Sequence, residues 1–298
     1  MCIMPKPAYS SEHFSDHEQY CLNQAAENCL ELISNNLLQA QPKSTNWYKL
    51  KSYQLDYFYD TLNYNQIIKQ IEPLIDDESL PSVFKSQLYF YYAKALNGSD
   101  NNELAQVYAD KAIAKLEDMY QAFENPLRLV ELANLHYVFG NKELAYQILL
   151  SVGNRYSKSR DAIFNFELNS NKANVLHAWG DFNKAAKFRK LALDWISNSD
   201  HQTKIIIAQG NLARTYQLAG KYELAINYYL ASLSYMDGKE SNVHYPIYLL
   251  RLAETHMQMG SLALAAKNLK QVNKQGLKAG HLALYTKLDS ALSNVKIK

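Results

Sequence analysis

Four glycines in this chain stand 40 residues apart, at Gly140, Gly180, Gly220 and Gly260. Ten glycines scattered over forty phases would place only about a quarter of one in each, so four in one phase marks an internal repeat. Two alanine columns run in step with them. Ala133, Ala173, Ala213 and Ala253 stand seven residues before each glycine, and Ala145, Ala185, Ala225 and Ala265 stand five after it. The frame extends back to Ala93 and Ala105, with Asp100 in the glycine's place. Leu104, Leu144, Leu224 and Leu264 precede the second alanine, and Lys184 interrupts that row. Such a chain folds by stacking copies of one small unit, because a single unit cannot bury its own apolar face.

Each unit reads as two helices joined at the glycine. Leu212, Ala213 and Tyr216 form an i, i+1, i+4 apolar face, and Ala225, Tyr229 and Leu233 form an i, i+4, i+8 face on the second helix. Gly220 ends the first helix, since glycine takes the left-handed C-terminal conformation without penalty. Small residues at Ala213 and Ala225 let the paired helices approach closely. The pattern L-A-x-x-Y-x-x-x-G-x-Y-x-x-A-x-x-x-Y from Leu212 to Tyr229 resembles the tetratricopeptide (TPR) repeat. The resemblance covers residues 86–285 and implies an all-α, right-handed TPR-like solenoid of antiparallel helix pairs. It departs from the family in its longer period, in the absent glycine of unit 86–125, and in Lys172 and Arg189 of unit 166–205.

The expected units are 86–125, 126–165, 166–205, 206–245 and 246–277. Ahead of them, 16–85 holds N-terminal helices and a degenerate helix pair over 47–75 that turns near Leu62 and Asn63. Residues 1–15 are expected to be disordered or extraneous to the fold. Residues 278–298 fit a capping helix or half repeat, with Leu292 in register with Leu132, Leu212 and Leu252.

The net charge of +2 offers no strong field for nucleic acid. It hides a gradient, from 11 acids against 5 Lys/Arg in residues 1–80 to seven lysines against Asp289 in 261–298. The basic end is read as a solvated helix. No run of 18 apolar residues spans a membrane, and the start lacks the apolar stretch of a signal peptide. The chain is therefore expected to be cytosolic or to have lost a targeting segment. In one straight helix, Cys21 and Cys29 lie roughly 12 Å apart along the axis, beyond disulfide reach. A turn near Glu27 and Asn28 would let them pair, in an oxidising compartment. Both readings stand at this point.

Motifs for catalysis are missing: there is no GxxxxGK[ST] loop, GxSxG elbow, HExxH pair or CxxC pair. His13 and His17 flank Asp16 at i, i+4 spacing, but two ligands without a third read better as a solvated polar segment than as a metal site. His136 and His256 share the repeat position of Tyr216 and are expected to be packed and hydrogen-bonded. Many of the 23 tyrosines fall in packing phases, with no interleaved Arg/Lys face to bind nucleic acid. The expectation is a chain with no enzyme activity, cofactor or metal.

In TPR arrays the first helix of each unit lines the concave surface, and the resemblance supplies that orientation. The repeat frame then places Val130, Asn134, Tyr137, Ser170, Asn174, His177, Gly210, Arg214, Gln217, Leu250, Glu254 and Met257 on the groove, with Asn171, Asn211 and Arg251 adjoining. Asparagine amides donate and accept at once and suit an extended peptide backbone. Arg214 and Arg251 can fork onto a carboxylate. The expected partner is thus a peptide or protein segment in the groove. The DHEQYCLNQAAENC stretch and ENPLRLVELANLHYVFGNKELAYQ more loosely resemble the extracytoplasmic TPR regions of membrane-anchored bacterial diguanylate cyclases. That likeness implies a periplasmic ligand-sensing region, a Cys21–Cys29 bridge, and a membrane link only through segments absent from this chain. The alternative is a free-standing cytosolic, peptide-responsive adaptor or regulator.

Overall fold

Every alanine of the two columns is sealed. Ala93, Ala133, Ala173, Ala213 and Ala253, and their partners Ala105, Ala145, Ala185, Ala225 and Ala265, all have 0% exposure. In the computed structural model, which describes residues 26–122, 126–199, 201–236 and 242–294, the first column lies on one helix of each pair and the second on the other. Backbones approach closely only where Cβ is the whole side chain, so the column fixes where each pair crosses.

Fourteen α-helices and no strand occur among the described residues. Helix α1 (Ala26–Gln39) precedes six antiparallel pairs. These are α2 (Thr45–Asp60) with α3 (Tyr64–Ile71), α4 (Ser82–Gly98) with α5 (Asn102–Ala122), and α6 (Pro126–Phe139) with α7 (Lys142–Arg155). They continue as α8 (Ala162–Ala178) with α9 (Phe182–Ile196), α10 (Gln202–Leu218) with α11 (Tyr222–Ser234), and α12 (His244–Gln258) with α13 (Leu262–Lys270). A short 3₁₀ turn leads to α14 (Ala279–Ser293), whose Leu288 and Leu292 close the last core cluster against Leu249 and Leu277.

Five of the turns within pairs share one design. The N–H groups of Asn63, Asn101, Asp181, Lys221 and Ser261 each reach back five residues, to the carbonyls of Phe58, Leu96, Leu176, Tyr216 and His256 at 2.7–3.0 Å. This closure requires a left-handed residue just before the donor. Leu62 (φ 54°), Asp100 (φ 63°), Gly180, Gly220 and Gly260 take that conformation. Gly140 does not, although it stands in the glycine column. Its N–H bonds the His136 carbonyl at 3.1 Å, and the Asn141 side chain caps α7 by accepting from the Leu144 N–H. Membership of the column therefore marks the turn's place and not always its backbone conformation.

The stack coils until distant units meet. His244 Nε2 lies 3.3 Å from the Asp60 carbonyl, and Lys278 Nζ donates to the Gly98 carbonyl at 2.9 Å while sitting 4.3 Å from the Tyr64 ring centre. These contacts join residues some 180 positions apart and bring α12 and the start of α14 back toward α2 and α4. The coil curves the first helices into a concave wall. No helix among the described residues is long and apolar enough to cross a membrane.

Candidate functional site: the concave groove

The concave wall encloses a cavity of about 610 Å³ lined from α2, α4, α6, α8 and the start of α10. That volume falls within the roughly 300–1,000 Å³ of pockets that hold ligands. First helices line it, as the TPR likeness implies. Tyr48, Tyr59, Phe84, Phe90 and Tyr91 give an apolar, aromatic wall, and Asn134 and Asn171 sit among them with charged neighbours.

A ladder of polar groups crosses this wall from unit to unit. Lys94 Nζ donates to Asn134 Oδ1 at 3.0 Å, Asn134 Nδ2 donates to Asn171 Oδ1 at 2.6 Å, and Asn171 Nδ2 donates to the Glu167 carbonyl at 2.9 Å. The repeat makes this regular, because Lys94 and Asn134 stand 40 residues apart in one column. Each amide keeps one N–H and one oxygen lone pair beyond the ladder, so each has capacity for a further donor and acceptor. Around it, Arg128 pairs with Glu131 at 2.7 Å, Tyr91 Oη donates to Asp56 at 2.8 Å, and Lys204 lies 3.4 Å from Glu167 and 3.7 Å from Asp60. Burial, with Asp56 and Glu131 nearby, pushes the Tyr91 hydroxyl well above its ordinary value, so it stays a donor.

The remaining expected groove residues part company with these two asparagines. Arg214 and Arg251 do meet a carboxylate, but it is Glu254 of the same chain, and each donates a single Nη1–H to its Oε2 at 2.9 Å. Burial pushes the Glu254 carboxyl up, yet the Arg251 and Arg214 contacts outweigh it and hold the group below its ordinary value. Gln217, 2% exposed, donates to Glu254 and Gln258 and accepts from Arg214 and Tyr229. Its hydrogen-bonding capacity is spent inside the fold. Asn174 accepts from Arg189 Nη2 at 3.1 Å, while Arg189 Nε donates to Thr215 at 2.8 Å. Burial lowers the Arg189 guanidinium to about 10. His177 lies 3.3 Å from the same Thr215 hydroxyl, and burial with Arg189 and Arg214 nearby lowers it to about 4. Tyr137 is half-buried against the core cluster of Leu129, Val130 and Phe164. Asn211 is exposed.

The expectation that residues three before the alanine face a ligand also needs correction. Leu250 is 0% exposed, and a Cβ on Gly210 would lie 2.1 Å from the Tyr248 ring. Gly210 and Leu250 are thus covered, whereas Val130 is buried yet reaches the cavity. His136 and His256 are packed as expected, but no hydrogen-bond partner meets His136 Nε2 or His256 Nδ1 among the described residues. Burial lowers both below the ordinary histidine value. Cys29 is buried against Ile33, Leu50 and Tyr53 and takes part in a disulfide. Cys21 lies outside the described residues, as do His13, Asp16 and His17. No cluster of His, Cys, Asp or Glu suited to a metal occurs among the described residues.

The N-terminal half of the groove, including Tyr48, Asp56, Tyr59, Tyr91 and Lys94, was not among the expected site residues. For α4 a signal existed: stepping the frame back 40 residues from Asn134 and Glu131 reaches Lys94 and Tyr91. For α2 no repeat frame was available.

Comparison with known proteins agrees with the fold. The tetratricopeptide repeat family matches residues 165–237. No curated protein matches the sequence. Among solved structures, a Rap protein complexed with competence and sporulation factor superposes with a TM-score of 0.61 at 12% identity, covering 93% of this chain and 78% of that one. The apo form of the quorum sensor NprR from B. thuringiensis gives 0.59 at 15%, covering 95% and 81%. NprR in complex with its cognate peptide NprX gives 0.56 at 15%, covering 93% and 81%. At such identities the likeness speaks for the fold alone. The buried alanine columns, the repeated turns and these matches together make the chain an all-α, TPR-like solenoid, with tetratricopeptide repeats identified at residues 165–237.

Proposed function

We propose that this chain is a non-catalytic, peptide-responsive adaptor or regulator that holds a short extended peptide in its concave groove. The observation that carries this reading is the Asn134–Asn171 pair. It stands in a 610 Å³ aromatic-walled cavity, with donors and acceptors left over for a peptide backbone. The fold likeness to NprR, which binds the peptide NprX, supports the same ligand class. Nothing comparable supports the sensory region of a diguanylate cyclase. One observation favours an extracytoplasmic setting as a second reading: the disulfide at Cys29, a bond that persists in oxidising compartments. Two free, alkylatable thiols at Cys21 and Cys29 in protein isolated without reductant would remove that support.

The primary test immobilises the full chain and exposes it to a mixed pentapeptide pool, with retained peptide quantified by mass spectrometry. Replacing both amides, Asn134→Ala with Asn171→Ala, is expected to lower retention at least about tenfold, equivalent to ~1.4 kcal/mol. A thermal melt checks that the variant, which loses the ladder's hydrogen bonds, is still folded at the assay temperature. Equal retention by the variant and the original chain would place the site elsewhere.

A further inference from the structure

A helix ends in carbonyls that lack a partner within it, and at α2 and α4 the far end of the chain supplies one. In the turn after α2 the N–H groups of Thr61, Leu62 and Asn63 reach back to Tyr57, Tyr59 and Phe58. After α4 those of Ser99, Asp100 and Asn101 reach back to Leu96 and Asn97. The carbonyls of Asp60 and Gly98 are left over, each two residues before its left-handed turn residue, Leu62 or Asp100. His244 Nε2 lies 3.3 Å from the first, and because a carbonyl only accepts, this nitrogen carries the proton. Lys278 Nζ donates to the second at 2.9 Å. Basic side chains suit such helix C-termini, where the aligned peptide dipoles leave partial negative charge.

Neighbouring contacts reinforce both caps. Lys204, one 40-residue step before His244, lies 3.7 Å from the Asp60 carboxylate. The Lys278 ammonium sits 4.3 Å from the Tyr64 ring centre, and that ring lies so close on Gly98 that a Cβ there would be 2.3 Å from Cε2. Asp60 and Lys204 also line the cavity, so this seam is part of its wall. We propose that His244 and Lys278 form a clasp that shuts the solenoid, capping α2 and α4 from the last units and so setting the width of the groove. Stacking interfaces join only adjacent units, so without a seam the two ends are free to part by many small rotations. Both partners in each contact belong to this chain, and closure therefore needs no occupant in the groove.

Small-angle X-ray scattering of the full chain, alone in solution, reads closure as the particle's maximum dimension. The original chain should scatter as the closed coil described above. His244→Phe keeps a ring over Tyr248 but has no N–H, and Lys278→Met keeps the stem but has no charge or donor. With both changes the seam should part by one helix diameter or more, raising the maximum dimension by at least about 10 Å. Helix content by circular dichroism should hold. Lys278→Arg should leave the dimension unchanged, because the guanidinium still donates to a carbonyl and stacks on a ring. Should the double variant lose helix content, Lys278→Met alone decides, since residue 278 is exposed, and it should lengthen the particle in the same sense. Scattering that matches the original chain, from the double variant or from Lys278→Met where the double variant unfolds, would overturn the clasp. So would an original chain longer than the closed coil.

Discussion

A methyl group added at residue 210 tests how neighbouring units lock together. Gly210 lies in mid-helix α10, where alanine would normally stabilise by about 0.5–1 kcal/mol by restricting the unfolded chain. Here an ideal Cβ would lie 2.1 Å from Tyr248 Cζ, 2.3 Å from its hydroxyl oxygen and 2.6 Å from Cε1. Ordinary contact begins near 3.4 Å, so the ring must withdraw by about 1.3 Å. It has little room to do so. Tyr248 is 7% exposed, stacked on His244 at 5.7 Å and tilted against Tyr229 at 6.0 Å. Overpacking of this kind costs about 1–3 kcal/mol, which outweighs the helix gain and leaves Gly210→Ala destabilised by roughly 0.5–2 kcal/mol. In a Tyr248→Leu background the obstructing ring atoms are gone, and the same change should stabilise by about 0.5–1 kcal/mol. Urea unfolding of the four proteins of this cycle yields the coupling, expected at about 1–3 kcal/mol. Equal stabilisation by Gly210→Ala in both backgrounds would show that Tyr248 does not cover residue 210, and the packing between units described here would be wrong.

Two further outcomes follow from the turns and the buried network. Gly220→Ala should cost about 1–2 kcal/mol, because its φ of 72° is left-handed and no atom lies within 4 Å to offer compensation. Gly140→Ala, at the same column position without that conformation, should be neutral or stabilising by about 0.4–1 kcal/mol, and thermal melts of the pair would expose any error in the turn assignment. His177 is lowered in the folded chain from 6.5 to about 4, so below 6.5 the unfolded chain binds the extra proton. The stability this group contributes is therefore present above about pH 6.5 and is lost as pH falls toward 4. His177→Gln should flatten the melting profile in that window, and an unchanged profile would mean that the imidazole is solvated.

Legibility from the sequence ended where side chains began to choose partners. Arg214, Gln217, Arg251 and Glu254 read as a ligand-facing polar row because residue type and phase look alike for a groove residue and an internal ion network. Only distance separates them, and the distance between Arg214 and Glu254 depends on how one unit is rotated against the next. Asn134 and Asn171, read from the same frame, line the cavity, Asn171 with only 6% of its surface exposed. Lys94 is reachable by the same 40-residue step from Asn134.

The sequence by itself determined the repeated helix pair, since a 40-residue recurrence of small residues at fixed distances from a turn permits little else. It determined the sealed alanine columns and the absence of any recognisable catalytic motif for the same local reasons. The tertiary structure alone decided how tightly the stack coils, which brings His244 to Asp60 across 184 residues and encloses the cavity against α2, α4, α6 and α8. Local spacing specifies each unit, but the rotation between units is a sum of many side-chain contacts, such as Tyr248 over Gly210, and small angles add along a solenoid until distant helices meet.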